Sequence, residues 1–420
     1  MPTARTRTPE IPAGSSLPLS LLVLVGCACG ISLITFGVRS IFGLFTDPVV
    51  ATHAWSRDVF ALAIALQNLV WGLTQPFAGA LVDRFGPVRV LAAGGLVYAL
   101  GIVLMAVGTT PLELHLSAGV LVGLGMGGAS YITVLGALGR LVPESRRAWA
   151  LGVGTAAGSL GQFVFAPLGQ AFIGGYGWQQ AALVLAGFVL LVPLLATGLR
   201  GSPAASAGSG TGGGPSLAAT LGSALRHPSY LFLLLGFSVC GFQLAFITIH
   251  LPPYLNDQGV SASVAGWAIG AIGLANVLGA YAAGLLAARF TNRRLLSVIY
   301  FGRALTIALF LVIPVSPWTV MPFATVMGLL WLSTIPPTSA LVALMFGTRF
   351  MGTLFGLVFL SHQVGSFLGI WLGGAVFELT AGYDAIWWLT VAFGVVAGFL
   401  HLPIAERPAP AFAAAATAPG

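Results

Sequence analysis

Long apolar stretches recur along almost the whole chain, and short clusters of Arg, Pro or Gly separate them. Each stretch reaches the roughly 20 apolar residues that a helix needs to cross the hydrocarbon core of a bilayer. The pattern therefore predicts an all-α polytopic membrane protein with twelve transmembrane helices. We expect the first six at residues 19–45, 59–81, 88–108, 112–138, 148–172 and 178–199, and the second six at 229–251, 263–287, 295–314, 318–345, 352–376 and 384–403.

A stretch rich in Gly, Ser and Ala, residues 201–215, interrupts the apolar pattern in the middle of the chain. Such a composition is typical of a flexible linker, and the segment 216–227 after it predicts a short interfacial helix. We therefore divide the chain into an N-terminal six-helix bundle over residues 1–200, a cytoplasmic linker over 201–228 and a C-terminal six-helix bundle over 229–420.

The composition excludes an ordinary soluble enzyme. Of the 420 residues 57% are hydrophobic and only 6% are charged, whereas a soluble domain averages about 25% charged residues. The sequence contains no catalytic constellation, ATP-binding motif or metal-ligand spacing, so we expect no enzymatic activity, cofactor or metal. The net charge of +7 comes from arginines scattered between apolar runs, a pattern that does not indicate a nucleic-acid partner. We expect a monomer in contact with membrane lipid and a small-molecule substrate.

The arginines also predict which way the helices cross the membrane, because positive residues concentrate in cytoplasmic loops. With the N-terminus in the cytoplasm, fourteen of the seventeen basic residues fall on the cytoplasmic side and only Arg57 falls outside. We therefore expect a multi-pass protein of the cytoplasmic (inner) membrane with both termini in the cytoplasm. The remaining two arginines, Arg39 and Arg303, lie within predicted helices.

The two halves carry related motifs. The loop after the second predicted helix contains Gly79–Arg89, GALVDRFGPVR, and the loop after the eighth contains Gly284–Arg294, GLLAARFTNRR, 205 positions later. Six plus six helices around a central linker are typical of secondary transporters, whose substrate site lies between the halves near the midplane. Two pairs of glycines also align between the fifth and eleventh helices: Gly152 with Gly356, and Gly161 with Gly365.

The segment Gly79–Arg89 resembles the loop signature of the major facilitator superfamily, Gly-x-Leu-x-Asp-Arg-x-Gly followed by a basic residue. Together with the twelve helices and the weaker second copy, the resemblance covers essentially the whole chain. It implies that the Asp and Arg of the loop join helix ends on the cytoplasmic side and stabilise one conformation of the transport cycle. The alternative is that these charges only fix the topology. The residues expected to act in gating are Gly79, Asp83, Arg84, Gly86, Arg89 and Arg140, the last as a partner of Asp83.

The start of the fifth predicted helix, Arg146–Gly152, and its continuation to Gly161 are similar to the signature of monocarboxylate porters and oxalate–formate antiporters. Those families move carboxylates, and we expect transport by symport or antiport; the expectation of a carboxylate for this chain rests on its deep positive charges. The sequence departs from the pattern at two functional positions. Asn276 stands on the eighth helix where those families place a substrate-binding Arg, and His362 stands on the eleventh helix where antiporters can use a Lys.

Ionisable groups at bilayer depth are candidates for function because burying one there costs at least about 2.5–3.5 kcal/mol. We expect Arg39 on the first helix to bind an anion, with Ser32 and Thr35 on the same face; an arginine that extends to the outer interface is the alternative. His362, near the middle of the eleventh helix, is the candidate proton carrier because imidazole as a class titrates near physiological pH. A neutral hydrogen-bonding histidine is the alternative.

Two features of the second half concern the backbone of the tenth helix and a buried charge. Pro336 and Pro337 interrupt that helix and free carbonyl groups that need a partner. Arg303 on the ninth helix is expected to pack inward against polar groups in a structural role, with direct substrate contact as the alternative.

Neutral amides recur near the midplane of helices that line the cavity in the superfamily. We expect some of them to contact substrate; interhelical hydrogen bonds are the alternative, worth only about 0.6 kcal/mol each on average. These candidate substrate-binding residues are Gln67, Asn68, Gln162, Gln243 and Asn276, in addition to Arg39 and His362.

The sequence as a whole predicts a secondary transporter that moves a small organic anion, a monocarboxylate or related carboxylate, by alternating access. Two other functions stay open. One is the efflux of an amphipathic drug-like compound by antiport. The other is a membrane sensor that does not transport, which would typically carry an added signalling domain.

Overall fold

The computed structural model describes residues 19–200, 216–347 and 349–409. Within these ranges twelve helices are long and apolar enough to cross a membrane, as predicted. The tail arginines before residue 19 and the linker core 201–215 lie outside the described residues. The helices are α1 (Leu19–His53), α2 (Arg57–Phe85), α3 (Pro87–Val107), α4 (Pro111–Leu141), α5 (Glu144–Tyr176), α6 (Trp178–Leu199), α7 (Pro228–Asp257), α8 (Ala262–Ala287), α9 (Asn292–Val312), α10 (Pro317–Phe346), α11 (Met351–Thr380) and α12 (Asp384–His401).

Most helix ends lie within two residues of the predicted ones, but several helices extend further. The first helix is expected to end at residue 45 but continues to His53, and α5 extends the predicted 148–172 at both ends. Hydropathy detects only the segment that suits hydrocarbon, whereas a helix satisfies its own backbone and can continue into the polar interface. Within the segment 216–227, where an interfacial helix is predicted, a helix is present at Leu217–Ala224.

The helices form two six-helix bundles, α1–α6 and α7–α12. Within the bundles α1 packs along α5, and α7 packs along α11. Between the bundles the main contacts join α2 to α11 and α5 to α8. The space between the bundles is therefore bordered by helices from both halves of the chain.

The internal repeat is visible in how closely these helices pack. A Cβ atom on Gly161 of α5 would overlap the carbonyl oxygen of Leu33 in α1. The equivalent Gly365 of α11 makes the same approach to the carbonyl oxygen of Ser238 in α7. Only a residue without a side chain permits this backbone contact, so the aligned glycines mark one packing interface built twice.

Several of the membrane helices are interrupted along their length. In α1 the α-helix ends at Arg39 and resumes at Thr46. The segment between Leu330 and Ile335 breaks α10, as its two prolines predict. A break in α4 at Ser130 was not predicted; there the Ser130 hydroxyl accepts a hydrogen bond from the amide of Thr133 and caps the following helical segment.

We expect Gly365→Ala to destabilise the protein by about 1–3 kcal/mol, because the new methyl group forces α11 away from α7. Gly161→Ala should have a similar effect at the equivalent interface. The matched controls are Gly356→Ala and Gly152→Ala on the same two helices, where a Cβ meets no atom within 4 Å. Thermal unfolding of the purified variants measures the difference. Equal melting temperatures for Gly365→Ala and Gly356→Ala would contradict the packing argument.

Candidate functional site

A cavity of about 1470 Å³ lies between the two bundles. Its lining includes Arg39 and His362 near mid-depth and extends to Asp83 and Arg140 at one end of the helices. The Asp83 side chain is 68% exposed, so this end, which we call the open end, communicates with solvent. The cavity brings together charged residues that lie far apart in the sequence.

Arg39 projects from the point where the first helical segment of α1 ends. Its Nη2 donates to Asn68 Oδ1 at 3.2 Å, and its guanidinium carbon lies 4.7 Å from the Trp71 ring centroid and 5.7 Å from that of Phe36. Its Nε is buried without a hydrogen-bond partner. Within the described ranges no carboxylate forms an ion pair with it. Arg39 is thus a half-buried cation without a counter-ion among the described residues.

The polar residues expected to assist Arg39 do not hydrogen-bond to it. The Thr35 hydroxyl donates to the Ile31 carbonyl of its own helix, and the Ser32 hydroxyl is buried without a partner. The guanidinium instead extends toward α2, where Asn68 and Trp71 contact it. Spacing along α1 could not show this, because the partners belong to another helix.

His362 borders the same cavity from the opposite bundle. Its Nδ1 is 3.0 Å from Gln363 Oε1 and 3.4 Å from the Ser366 hydroxyl. Its ring lies against Phe237 and Phe359, with centroid distances of 5.3 and 6.1 Å. The imidazole therefore has one polar edge held by α11 itself.

Asn68 and Gln363 connect the two bundles between Arg39 and His362. The Gln363 amide donates to the Asn68 backbone carbonyl at 3.2 Å, and the Asn68 side chain accepts from Arg39. Gln363 is fully buried and was not among the predicted site residues. Its position next to His362 was the available signal. The polar contacts thus run from Arg39 on α1 to His362 on α11.

Three predicted substrate-binding amides lie away from the cavity. Each is buried and donates to a backbone carbonyl of a neighbouring helix, so its amide nitrogen serves helix packing. Sequence spacing gives the depth of such a side chain along its helix but not the direction in which it points. The pairs are Gln67 with Ala118 (2.9 Å), Gln162 with Ile269 (3.0 Å) and Gln243 with Thr390 (3.1 Å).

Asn276 does border the cavity, and it joins three helices. Its Nδ2 donates to the Ser159 hydroxyl of α5 at 2.8 Å. Its Oδ1 accepts from the backbone amide of Leu332 in the break of α10 at 2.9 Å. Both hydrogen-bonding ends are occupied, so Asn276 holds the cavity wall in place.

Arg303 is fully buried behind the same break. Its Nε and Nη2 donate to the Leu330 carbonyl at 3.0 and 2.6 Å, and Nη2 also donates to the carbonyl of Trp331. Its Nη1 lies 3.2 Å from the Cys240 sulfur. Carbonyls at the end of a helical segment carry partial negative charge, so the break of α10 compensates the guanidinium. The hydrogen-bonding groups of Arg303 are thus bound by the protein itself.

The predicted gating loop lies at the open end. Arg140 of α4 forms an ion pair with Asp83 of α2. Gly86 has φ of +80°, a conformation that side chains disfavour, and it lets the chain turn directly from α2 into α3. Arg84 and Arg89 are exposed, and neither forms an ion pair among the described residues. Gly79 lines the cavity mouth.

The opposite end, which we call the closed end, is joined across the two bundles by Arg57. Its guanidinium contacts Asp47 of α1 at 2.9 Å and Asp257 of α7 at 2.5 and 2.8 Å. Its backbone amide donates to Glu378 of α11 at 2.8 Å. Asn256 of α7 also donates to Asp47, at 2.7 Å. The pair Asp83–Arg140, in contrast, lies within one bundle.

Aromatic side chains that the sequence did not single out border the cavity on both sides: Phe36, Trp71, Tyr131, Phe237, Trp331, Phe355 and Phe359. Aromatic residues make up 11% of the chain, and many others are exposed on the lipid-facing surface. Composition and spacing do not distinguish the aromatic residues of the cavity from those of the outer surface. Only the packing of the helices distinguishes them.

The family model of the Major Facilitator Superfamily matches residues 27–369 and, in a second match, residues 241–419. The chain is 27% identical over 383 residues to the uncharacterized MFS-type transporter YcxA of Bacillus subtilis, covering 87% of this chain and 90% of the relative. It is also 27% identical over 364 residues to monocarboxylate transporter 13 of Rattus norvegicus, covering 86% and 83%.

Two solved structures show the same fold at low sequence identity. A bacterial homolog of the human lysosomal transporter Spinster, in an inward-facing and unoccupied conformation, superposes with a TM-score of 0.75 at 16% identity, covering 92% of this chain and 97% of that one. A D-xylose–proton symporter superposes with a TM-score of 0.71 at 14% identity, covering 93% and 98%.

We expect Arg57→Gln to separate the bundles at the closed end, because it removes the charged hydrogen bonds to Asp47 and Asp257. If these bonds contribute about 1–3 kcal/mol, their loss would shift the ratio of molecules closed at this end to molecules open at this end roughly 5- to 150-fold. Distances between spin labels at Ala51 and Gln258, both exposed at this end, measure the shift.

The matched control for this experiment is Arg226→Gln, which removes an exposed arginine elsewhere. Its label distances should equal those of the unsubstituted protein. A distance distribution for Arg57→Gln that coincides with the control would show that Arg57 does not hold this end closed.

Proposed function

The chain belongs to the major facilitator superfamily, and we propose that this secondary transporter moves a small organic anion, a monocarboxylate or related carboxylate, by alternating access. The observation that carries the proposal is Arg39. A half-buried guanidinium is costly without a counter-charge, and the described part of the chain provides no carboxylate for it. A substrate anion supplies that charge while it is bound.

The geometry around Arg39 suits a carboxylate. Asn68 Oδ1 occupies one donor of the guanidinium as a neutral acceptor, and Nε has no partner. A carboxylate binds a guanidinium through two parallel hydrogen bonds, stronger than the single bond from an amide oxygen. The anion therefore displaces Asn68 from Nη2. Arg303 does not compete, because carbonyl groups already surround it.

The relatives support a carboxylate in general terms. One of them is named monocarboxylate transporter 13. The Asn276 position, where the porter pattern has an arginine, binds Ser159 and the α10 backbone here. We infer that the anion-binding role lies on α1 in this chain and not on α8.

We propose that the open end faces the cytoplasm, so that the structure is an inward-open conformation in the cytoplasmic membrane. The excess of arginines on that side supports this orientation, with both termini in the cytoplasm and the linker 201–228 between the bundles. Asp83 and Arg140 then stand at the cytoplasmic mouth, where the gating loop acts when that end closes. Arg57 holds the external end shut meanwhile.

Arg39→Gln is expected to abolish binding of the transported carboxylate, and Arg39→Lys to keep a weak remnant, because an ammonium cannot form the bidentate contact. Loss of a charged hydrogen-bonded pair costs about 2–5 kcal/mol, hence roughly a 30-fold or greater loss of affinity. The control Arg200→Gln removes an exposed arginine. Titration calorimetry with a series of carboxylates, and flux into proteoliposomes, provide the measurements.

Two results would refute the proposal. One is a folded Arg39→Gln protein that binds its carboxylate as tightly as the Arg200→Gln control does. The other is a natural substrate that proves to be a cation. Absence of any flux by the unsubstituted protein, despite binding, would instead favour the sensor function.

We propose His362 as the proton carrier, since no Asp or Glu of the described residues lines the middle of the cavity. The titratable group that faces it is Cys240 on α7, which also interacts with Arg303. His362→Gln should flatten the pH dependence of net uptake and spare substrate exchange, which moves no net proton. Uptake by this variant with the unsubstituted pH profile would exclude the role. Ser361→Ala, the neighbouring substitution, serves as the control.

A further inference from the structure

A continuous series of ring contacts surrounds Arg39 and crosses from one bundle to the other. The guanidinium lies over Trp71, whose indole meets the Phe359 ring edge to face at a centroid distance of 5.1 Å. Phe359 in turn lies parallel to the His362 ring at 6.1 Å. The permanent charge in this series is the cation of Arg39, and apolar rings separate it from His362.

A second aromatic wall stands on the other side of Arg39. Phe36 lies 5.7 Å from the guanidinium carbon and meets the Tyr131 ring edge to face at 5.4 Å. Tyr131 begins the second segment of α4, directly after the break at Ser130. The unpredicted break therefore places a phenol ring at the cavity surface near the cation.

Polar contacts with residues of α2 and α4 fix the orientation of Trp71. Its Nε1 donates to Gln75 Oε1 at 3.0 Å, and the Ser130 hydroxyl donates to the same oxygen at 3.0 Å. Gln75 also reaches Thr133 at 3.4 Å. Because the indole nitrogen is already bonded, the part of Trp71 that borders the cavity is hydrocarbon.

Resting on the proposed function, we propose that the substrate is a monoanion with an aromatic or similarly bulky apolar body. Its carboxylate binds Arg39, and its body packs against Trp71 and Phe359. A small hydrophilic anion would place its remaining polar surface against rings, and a second carboxylate would meet no further permanent cation among the described residues at that depth. The cavity, at about 1470 Å³, exceeds the roughly 300–1,000 Å³ of pockets for drug-sized ligands, so a ring is easily accommodated.

The positions of Trp71 and Phe359 also make the contacts of a substrate with the two bundles depend on its shape. Trp71 belongs to α2 and Phe359 to α11, the helices that form one of the main contacts between bundles. A ring that packs against both side chains touches both halves at once, whereas acetate on Arg39 touches α1 and α2 alone. The apolar body is therefore the part of the substrate that contacts both bundles.

The test compares ligands of matched shape on the purified full chain by titration calorimetry. Acetate and phenylacetate share a carboxylate and differ by one ring; phenethyl alcohol and phenethylamine keep the ring and change the charge; oxalate adds a second carboxylate. We expect phenylacetate to bind at least about tenfold more tightly than acetate or oxalate, as two aromatic contacts imply. The alcohol and the amine should bind far more weakly than phenylacetate.

Substitutions locate the effect. Phe359→Leu and Trp71→Leu should each reduce the preference for phenylacetate over acetate to about threefold, where the preference is the ratio of the two affinities measured on the same variant. Trp388→Leu, which removes an exposed indole on α12 away from the cavity, should leave the preference intact and controls for binding to detergent. The ligand series on the unsubstituted protein needs no variant and stands even if Trp71→Leu does not fold.

The outcomes separate this inference from the function on which it rests. Equal binding of acetate and phenylacetate, both lost in Arg39→Gln, would overturn the aromatic substrate and leave the anion transporter intact. Oxalate binding as tight as phenylacetate would overturn it likewise. Binding of the alcohol or the amine as tight as that of phenylacetate would overturn both, and would favour an amphipathic drug-like substrate.

Discussion

Hydrocarbon offers no hydrogen-bond partner, so each polar group buried among these twelve helices depends on another part of the protein for one. The Arg303 guanidinium donates hydrogen bonds to a carbonyl at the break in α10, which an intact helix would not offer. The arginine and the break thus satisfy each other's hydrogen-bonding groups. Asn276 satisfies the amide side of the same break. Arg39 is the exception in charge, because its acceptor within the described residues is a neutral amide and its Nε has no partner there. That exception gives the cavity its chemical character.

The two ends of the molecule use charge in different ways. At the closed end Arg57 is partly buried and contacts carboxylates from both bundles, so its pairs resist separation of the bundles. At the open end Asp83 and Arg140 are exposed and belong to one bundle, where a solvated ion pair contributes little to stability. The two ends differ in the burial of their charges and in the bundles to which the partners belong, more than in residue type. The charges at the closed end join the two bundles, and the ion pair at the open end does not.

The internal repeat provides a symmetric frame for an asymmetric site. Gly161 and Gly365 pack their helices against equivalent partners, and both α4 and α10 break near the cavity. The chemistry differs between the halves: one break is capped by Ser130, and the other is held by Arg303. A cation lies on one side of the cavity and an imidazole on the other.

The amino-acid sequence by itself determines the features of this protein that depend only on local chemistry. Hydropathy predicted the twelve helices, and the covalent ring of Pro336 predicted the break in α10, since neither depends on neighbouring helices. The direction of a polar side chain does depend on them. Gln67 and Asn276 are both buried amides, yet one bonds within its bundle and the other borders the cavity. The packing of the helices against one another therefore determined which polar residues form the site, because a side chain finds its partner only after the helices have packed.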